Sequence, residues 1–172
     1  MAADERIFVG LGANLGAAAP TVRHAAAELG GLAGTRLVAL SSLYRSAPVS
    51  AGGPDYVNAV AELRSELEPL RLLDALQALE QAHGRTRPFP NAPRTLDLDL
   101  LIYGLREHQD DRLTLPHPRL AARAFVLAPL LELAAGGRCA DGRSFAQALA
   151  SVQDQRIERL PDGPLPPFTL GP

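Results

Sequence analysis

The chain is predicted to adopt an α+β fold, a mainly antiparallel sheet with helices packed against it. Three observations carry that expectation. Strand-like and helix-like patterns follow one another in the order β-α-β-β-α-β before shorter C-terminal elements begin. Leu72, Leu73, Leu76 and Leu79 make one apolar stripe at helical spacing. Leu96, Leu98, Leu100 and Ile102 alternate with a period of two, as one buried face of a strand does.

In chain order, Ile7, Val9 and Leu11 alternate with Phe8 and Gly10, a short strand that runs into the turn Gly12-Ala13-Asn14-Leu15-Gly16. An alanine-rich helix is expected from Pro20 to Leu29, with proline in its first turn and Gly30-Gly31 ending it. Arg36–Tyr44 has the composition of a second strand and Tyr56–Leu63 that of a third. The Pro/Gly/Ser connection Ser46–Pro54 joins them as a long hairpin. Pro69 opens the strongest helix and Gly84 stops it; a Pro- and Arg-bearing loop then leads into the strand ending at Gly104. Ala122–Ala134 is an apolar helix expected to be interrupted by Pro129, and Ser144–Ser151 a short one capped by Ser144. This is the order of a ferredoxin-like βαββαβ core with extra C-terminal elements. Residues 1–160 are expected to form one domain, and 161–172, with five prolines, an extended or disordered tail.

Composition narrows the function. At 172 residues, 47% apolar and 21% charged, the chain suits a single globular domain. A net charge of −2 argues against a broad nucleic-acid or anionic-membrane surface. Cys139 alone cannot form an intrachain disulfide, no apolar run approaches the ~20 residues of a membrane span, and no secretory pattern opens the chain. A cytoplasmic monomer is expected. All 17 basic residues are arginine. Without lysine there is neither a G-x-x-x-x-G-K-[ST] phosphate loop nor Schiff-base chemistry, so any phosphate clamp must use arginine, histidine, backbone N–H groups or metal. Gly10, Gly12 and Gly16 are spaced G-x-G-x-x-x-G, which is not the dinucleotide fingerprint.

The sharpest chemical signal is Asp97-Leu98-Asp99 on the apolar strand. Residues two apart on one strand face are about 6.6 Å apart, a separation that lets two carboxylates grip divalent ions lying about 3.5–4 Å from each other. Two like charges on such a strand need a compensating cation, and Arg94 stands three positions earlier, suited to a phosphate. Tyr56 and Asn58 share a strand face, where a ring and a carboxamide suit a flat heterocycle; the alternative is a half-buried strand tyrosine. Gln77 and Glu80 share a helix face that is either a solvated flank or a site wall. Arg85 and Arg87 precede the aspartates, and His117 lies between two prolines ahead of Arg123 and Phe125. A polymer-directed two-metal nucleotidyltransferase or nuclease would call for a basic groove. An RNA-binding sheet would leave Asp97 and Asp99 without a purpose.

Taken in order, G-A-N-L-G, S-S-L-Y-R-S-A-P-V, P-D-Y-V-N-A, P-R-T-L-D-L-D-L-L and L-T-L-P-H-P followed by R-A-F resemble the 6-hydroxymethyl-7,8-dihydropterin pyrophosphokinase family of the folate pathway, from Ile7 to Leu133. The resemblance implies transfer of the β,γ-pyrophosphoryl group of ATP to the pterin hydroxymethyl group, with AMP released. It implies two Mg²⁺ ions on Asp97 and Asp99, with Arg85 and Arg94 completing the catalytic set. The pterin would lie between Tyr56 and Phe125, with Asn58, Ser46 and the Val49 backbone at its edge. Arg85, Arg87, Arg94, His117 and Arg123 would meet ATP phosphates, and Gln77, Glu80, Arg112 and Thr114 would line the nucleotide wall. The loops 46–54 and 85–94 would close over bound ATP. Ala13 replaces the family's usual serine, Ser46 a common threonine, and Asn91 an aromatic residue.

Overall fold

The computed structural model describes residues 4–14, 17–47, 55–84 and 96–161. Its elements are β1 (Ile7–Ala13), α1 (Ala18–Gly30), β2 (Thr35–Leu40), β3 (Tyr44–Ser46), β4 (Tyr56–Ser65), α2 (Pro69–Ala82) and β5 (Asp97–Tyr103). There follow β6 (His108–Gln109), β7 (Thr114–Leu115), α3 (Ala124–Leu133), α4 (Phe145–Ala150) and β8 (Ile157–Arg159). The main sheet runs β5-β1-β4-β3-β8, with β2 also on β4, and every pairing is antiparallel. β5-β1-β4-β2 is the strand order of the expected α+β core, with β1 at its centre.

The two faces of β1 explain the layers. Ile7, Val9, Leu11 and Ala13 are buried with Ala59, Ala61 and Leu63 of β4, Leu98 and Leu100 of β5, and the stripes of α1 and α2. Val22, Ala25, Ala26 and Leu29 form the stripe of α1; Leu72, Leu73, Leu76 and Leu79 form that of α2. On the other face Phe8, Val60 and Leu101 pack under Val126, Leu127 and Leu130 of α3 and Phe145 of α4. α4 carries the expected cap: the Ser144 hydroxyl accepts from the Gln147 backbone N–H, and Gln147 reaches back to the Ser144 N–H.

Four local expectations are corrected. The strand expected over 36–44 is two strands, because Ser41 breaks the ladder: its N–H pairs with the Val60 carbonyl while its hydroxyl accepts the Val60 N–H. The alternation of β5 holds only to Leu100. Val9 faces Leu100 and Phe8 faces Ile102, so Leu101 is an extra residue; Ile102 moves to the second apolar cluster and Tyr103 takes its place in the first. α3 begins after a short 3-10 turn, Leu120–Ala122, and runs through Pro129 without ending; proline's missing N–H leaves only the carbonyl of Phe125 without its helical donor. β8, which the sequence pattern does not announce, joins the sheet edge at β3. The tail beyond Pro161 lies outside the described residues.

Candidate active site

The helices α3 and α4 cover only part of their sheet face, and the uncovered part is a cleft of about 720 Å³. Its floor is made by sequence at β1. Gly10 faces Asp99 and Gly12 faces Asp97 on one side, while Gly12 faces Asn58 on the other. Glycine every second residue strips the central strand of side chains on this face alone. A Cβ on Gly12 would stand 3.2 Å from Asn58 Oδ1, so that amide oxygen lies over the bare backbone.

Asp97 and Asp99, both half-buried, line one side of the cleft. The backbone between them is pinned from below, where Glu80 of α2, only 3% exposed, accepts the Leu98 N–H at 2.8 Å. The extra residue of β5 has a use as well: the Leu101 carbonyl accepts the His117 N–H at 2.8 Å, which fastens the 113–118 segment beside the aspartates. The Leu115–Pro116 peptide in that segment is cis. His117 Nδ1 accepts the Arg119 backbone N–H at 3.1 Å, leaving Nε2 to carry the proton of the neutral ring. Burial, reinforced by Arg123 and Arg119, lowers the His117 pKa against the opposing pull of Asp97, and the ring is neutral near pH 7.

Across β1 from Asp97 the cleft is lined by Asn58, and Tyr56, Ser46 and Phe125 line it as well. Asn58 is 6% exposed and donates from Nδ2 to Ser46 Oγ at 2.7 Å. Its Oδ1 and the Ser46 hydroxyl proton thus form a fixed acceptor and donor at the edge of an aromatic slot. Arg123, in extended backbone between the 3-10 turn and α3, places its guanidinium 5.6 Å from the Phe125 ring centre. The wall is fastened to the sheet by Glu132 of α3, which accepts the Ser42 N–H at 2.9 Å and the Tyr44 hydroxyl.

Of the residues singled out by sequence, the structure brings Ser46, Tyr56, Asn58, Asp97, Asp99, Arg123 and Phe125 into this one cleft. Gln77, Glu80, Arg112, Thr114 and His117 are not among the described residues that line it. Arg112 Nη2 instead donates to Asp74 Oδ1 at 2.6 Å and to Gln77 Oε1 at 3.2 Å, and Thr114 pairs with Gln109 in the β6–β7 hairpin. Val49, Arg85, Arg87 and Arg94, with both loops expected to close, lie outside the described residues. Gly10, Gly12, Arg119, Gln155 and Arg156 line the cleft although sequence reasoning passed them over. Period-two glycine on a strand was the available signal for the first two; the polar 153–156 segment offered none.

The donor set fits Mg²⁺. Among the described residues no cluster of three or more His, Cys, Asp or Glu could cage an ion. Mg²⁺ is ordinarily held by one or two carboxylates, its own waters and substrate phosphates, and two cleft-lining aspartates would supply the protein's share.

Comparison with known proteins agrees with this geometry. The family model described as 7,8-dihydro-6-hydroxymethylpterin-pyrophosphokinase (HPPK) matches residues 8–135. The 2-amino-4-hydroxy-6-hydroxymethyldihydropteridine pyrophosphokinase of Pseudomonas aeruginosa is 46% identical over 158 residues, covering 91% of this chain and 98% of that one. The protein of the same name from Haemophilus influenzae is 38% identical over 154 residues, covering 89% and 96%. Among solved structures, an HPPK-DHPS in complex with substrates superposes with a TM-score of 0.70 at 11% identity, covering 91% of this chain and 46% of that one. The Plasmodium falciparum HPPK-DHPS gives 0.69 at 10% identity, covering 90% and 44%. The present chain therefore spans under half the length of those solved chains, and they speak for the fold. The chain belongs to the 7,8-dihydro-6-hydroxymethylpterin-pyrophosphokinase family.

Proposed function

We propose that the chain transfers the β,γ-pyrophosphoryl group of ATP to 6-hydroxymethyl-7,8-dihydropterin, giving AMP and the pterin diphosphate for folate biosynthesis. The observation that carries this reading is one cleft lined both by two carboxylates and by two aromatic residues with a fixed acceptor–donor pair. The pterin lies between Tyr56 and Phe125, its edge on Asn58 Oδ1 and the Ser46 hydroxyl. Asp97 and Asp99 hold two Mg²⁺ ions together with the triphosphate. Bound there, Mg²⁺ supplies charge neutralisation on the phosphate oxygens and acidifies the attacking hydroxyl.

In the reaction the pterin hydroxymethyl oxygen bonds to the β-phosphorus, the bond from that phosphorus to the α,β-bridging oxygen breaks, AMP leaves with that oxygen, and the hydroxyl proton is lost. No covalent enzyme intermediate is required. What the side chains contribute is position and charge. Neutral His117 offers an N–H from Nε2 without adding charge beside Asp97, and Arg123 offers a guanidinium held against Phe125. Glu80 acts through the Leu98 backbone, keeping the two aspartates aligned. On the resemblance, Arg85, Arg87 and Arg94 complete the phosphate clamp, Val49 meets the pterin through its backbone, and Gln77, Arg112 and Thr114 stand on the nucleotide side. We place the enzyme in the cytoplasm as a monomer; no helix of the described residues is long and apolar enough to cross a membrane.

The test is AMP release from Mg·ATP with and without 6-hydroxymethyl-7,8-dihydropterin. Release that requires the pterin supports the reading. Equal release without it would point to a D-x-D nucleotidyl-transfer enzyme instead.

A further inference from the structure

The cleft has a second charged wall that the reaction as described does not use. Besides Asp97 and Asp99 the cleft is lined by Arg119, from the turn after His117, and Arg156, from the segment before β8. Both side chains are exposed, and among the described residues neither makes a hydrogen bond or an ion pair. Five other arginines are held by carboxylates: Arg6 and Arg64 bind Glu62, Arg106 binds Glu5, Arg112 binds Asp74 and Arg143 binds Asp141.

Both positions are built on fixed backbone. The Arg119 N–H is tied to His117 Nδ1. Gln155 clamps the segment of Arg156 against the start of α3, its Oε1 accepting the Ala124 N–H at 2.9 Å and its Nε2 donating to the Ala122 carbonyl at 2.8 Å. One residue on, Ile157 pairs with Ser46, so Arg156 arises beside the end of the cleft that holds the aromatic slot. Two guanidiniums in the same cleft as the aspartates, one of them rising beside Ser46, suit a phosphate that stays with the pterin after the transfer.

We propose that Arg119 and Arg156 seat the distal phosphate, the γ-phosphate of ATP that becomes the terminal phosphate of the pterin diphosphate. This rests on the reading of the cleft given above. The distal phosphate changes none of its own bonds in the transfer, so its contacts exist before and after the chemical step. They raise affinity for ATP and for the product alike without selectively stabilising the transition state. AMP, which lacks that phosphate, makes no use of them.

The experiment compares the intact protein with the Arg119→Ala/Arg156→Ala variant, titrating each with Mg·α,β-methylene-ATP, the pterin diphosphate and AMP by calorimetry. The exposed positions leave the fold intact, which a melting curve checks. The variant is expected to bind the ATP analogue and the pterin diphosphate about ten- to hundred-fold more weakly. AMP affinity should be unchanged, and Arg→Lys at both sites should recover part of the loss. Unaltered affinity for the analogue and the diphosphate, or a parallel loss of AMP affinity, would overturn the assignment. Wild-type protein that binds the analogue but releases no AMP with the pterin defeats the functional reading instead, whatever the variant does.

Discussion

One face of the sheet carries charge at both ends, and the two ends are built oppositely. Away from the cleft, Glu62 of β4 lies beside Phe8, 5% exposed, with Arg6 bound through two nitrogens at 3.0 and 2.9 Å and Arg64 at 2.7 Å. Arg6 also donates to the Leu133 carbonyl at the end of α3. That end is closed: the protein satisfies its own charge. At the other end the central strand has glycine in place of Phe8, and two aspartates and several arginines line one cleft.

The contrast can be broken from either side. The largest effect is expected at the open end. Asp99→Asn should lower the pterin-dependent release of AMP about a hundred-fold or more, since the proposed ligand to the phosphate-bound metal would lose its charge. Its melting temperature should stay near that of the wild type. At the closed end, Glu62→Gln leaves Arg6 and Arg64 without their anion and should cost about 1–3 kcal/mol of stability. For a chain of this size that is roughly 2–12 °C in a thermal melt, with turnover per folded molecule retained.

Between the ends, the two floor glycines differ in what a methyl would meet. Gly12→Ala presses on Asn58 Oδ1 at 3.2 Å and should raise the KM for the pterin about ten-fold with little change for ATP. Gly10→Ala meets the Leu101 side chain at 3.4 Å, an ordinary contact, and should change both by less than about two-fold. Steady-state kinetics with each substrate varied would separate them; equal effects would mean that Asn58 does not bind the pterin edge.

The smallest effect is one of pH. Burial pushes the Glu62 carboxyl up, but the hydrogen bonds and charges of Arg6 and Arg64 outweigh it and the net pKa falls below the ordinary 4.5. A carboxyl depressed by folding stabilises fully above 4.5, and that share is lost as pH falls through the folded value. Chemical denaturation of wild type and Glu62→Gln should therefore converge in stability below that pH; a constant gap down to strong acid would show that the pairs contribute nothing.

Much of this was legible in the sequence, and the rest was not for definable reasons. The stripe of Leu72, Leu73, Leu76 and Leu79 is a local property of a helix and reappears unchanged in α2. The aspartate strand is legible up to Leu100, where the pattern depends only on its own pleat. It fails at Leu101, because a bulge is a property of the pairing with Phe8 and Val9. Asp97 and Asp99 stood out because their strand has few other polar residues, and Tyr56 and Asn58 because they share one strand face. Gly10 and Gly12 were set aside as a mismatched nucleotide motif, since their purpose shows only when β4 and β5 are seen on either side of β1. Gln155 and Arg156 gave no periodic signal; they matter through bonds to Ala122 and Ala124, more than thirty positions away.

The most direct measurement takes Asp99→Asn and Glu62→Gln side by side, recording for each a thermal melt and the pterin-dependent release of AMP from Mg·ATP. The two should cross: Asp99→Asn keeps the melting temperature and loses turnover, while Glu62→Gln loses melting temperature and keeps turnover. Near-normal turnover of Asp99→Asn would contradict the account, because the open end of the sheet would then not be where the phosphates are held.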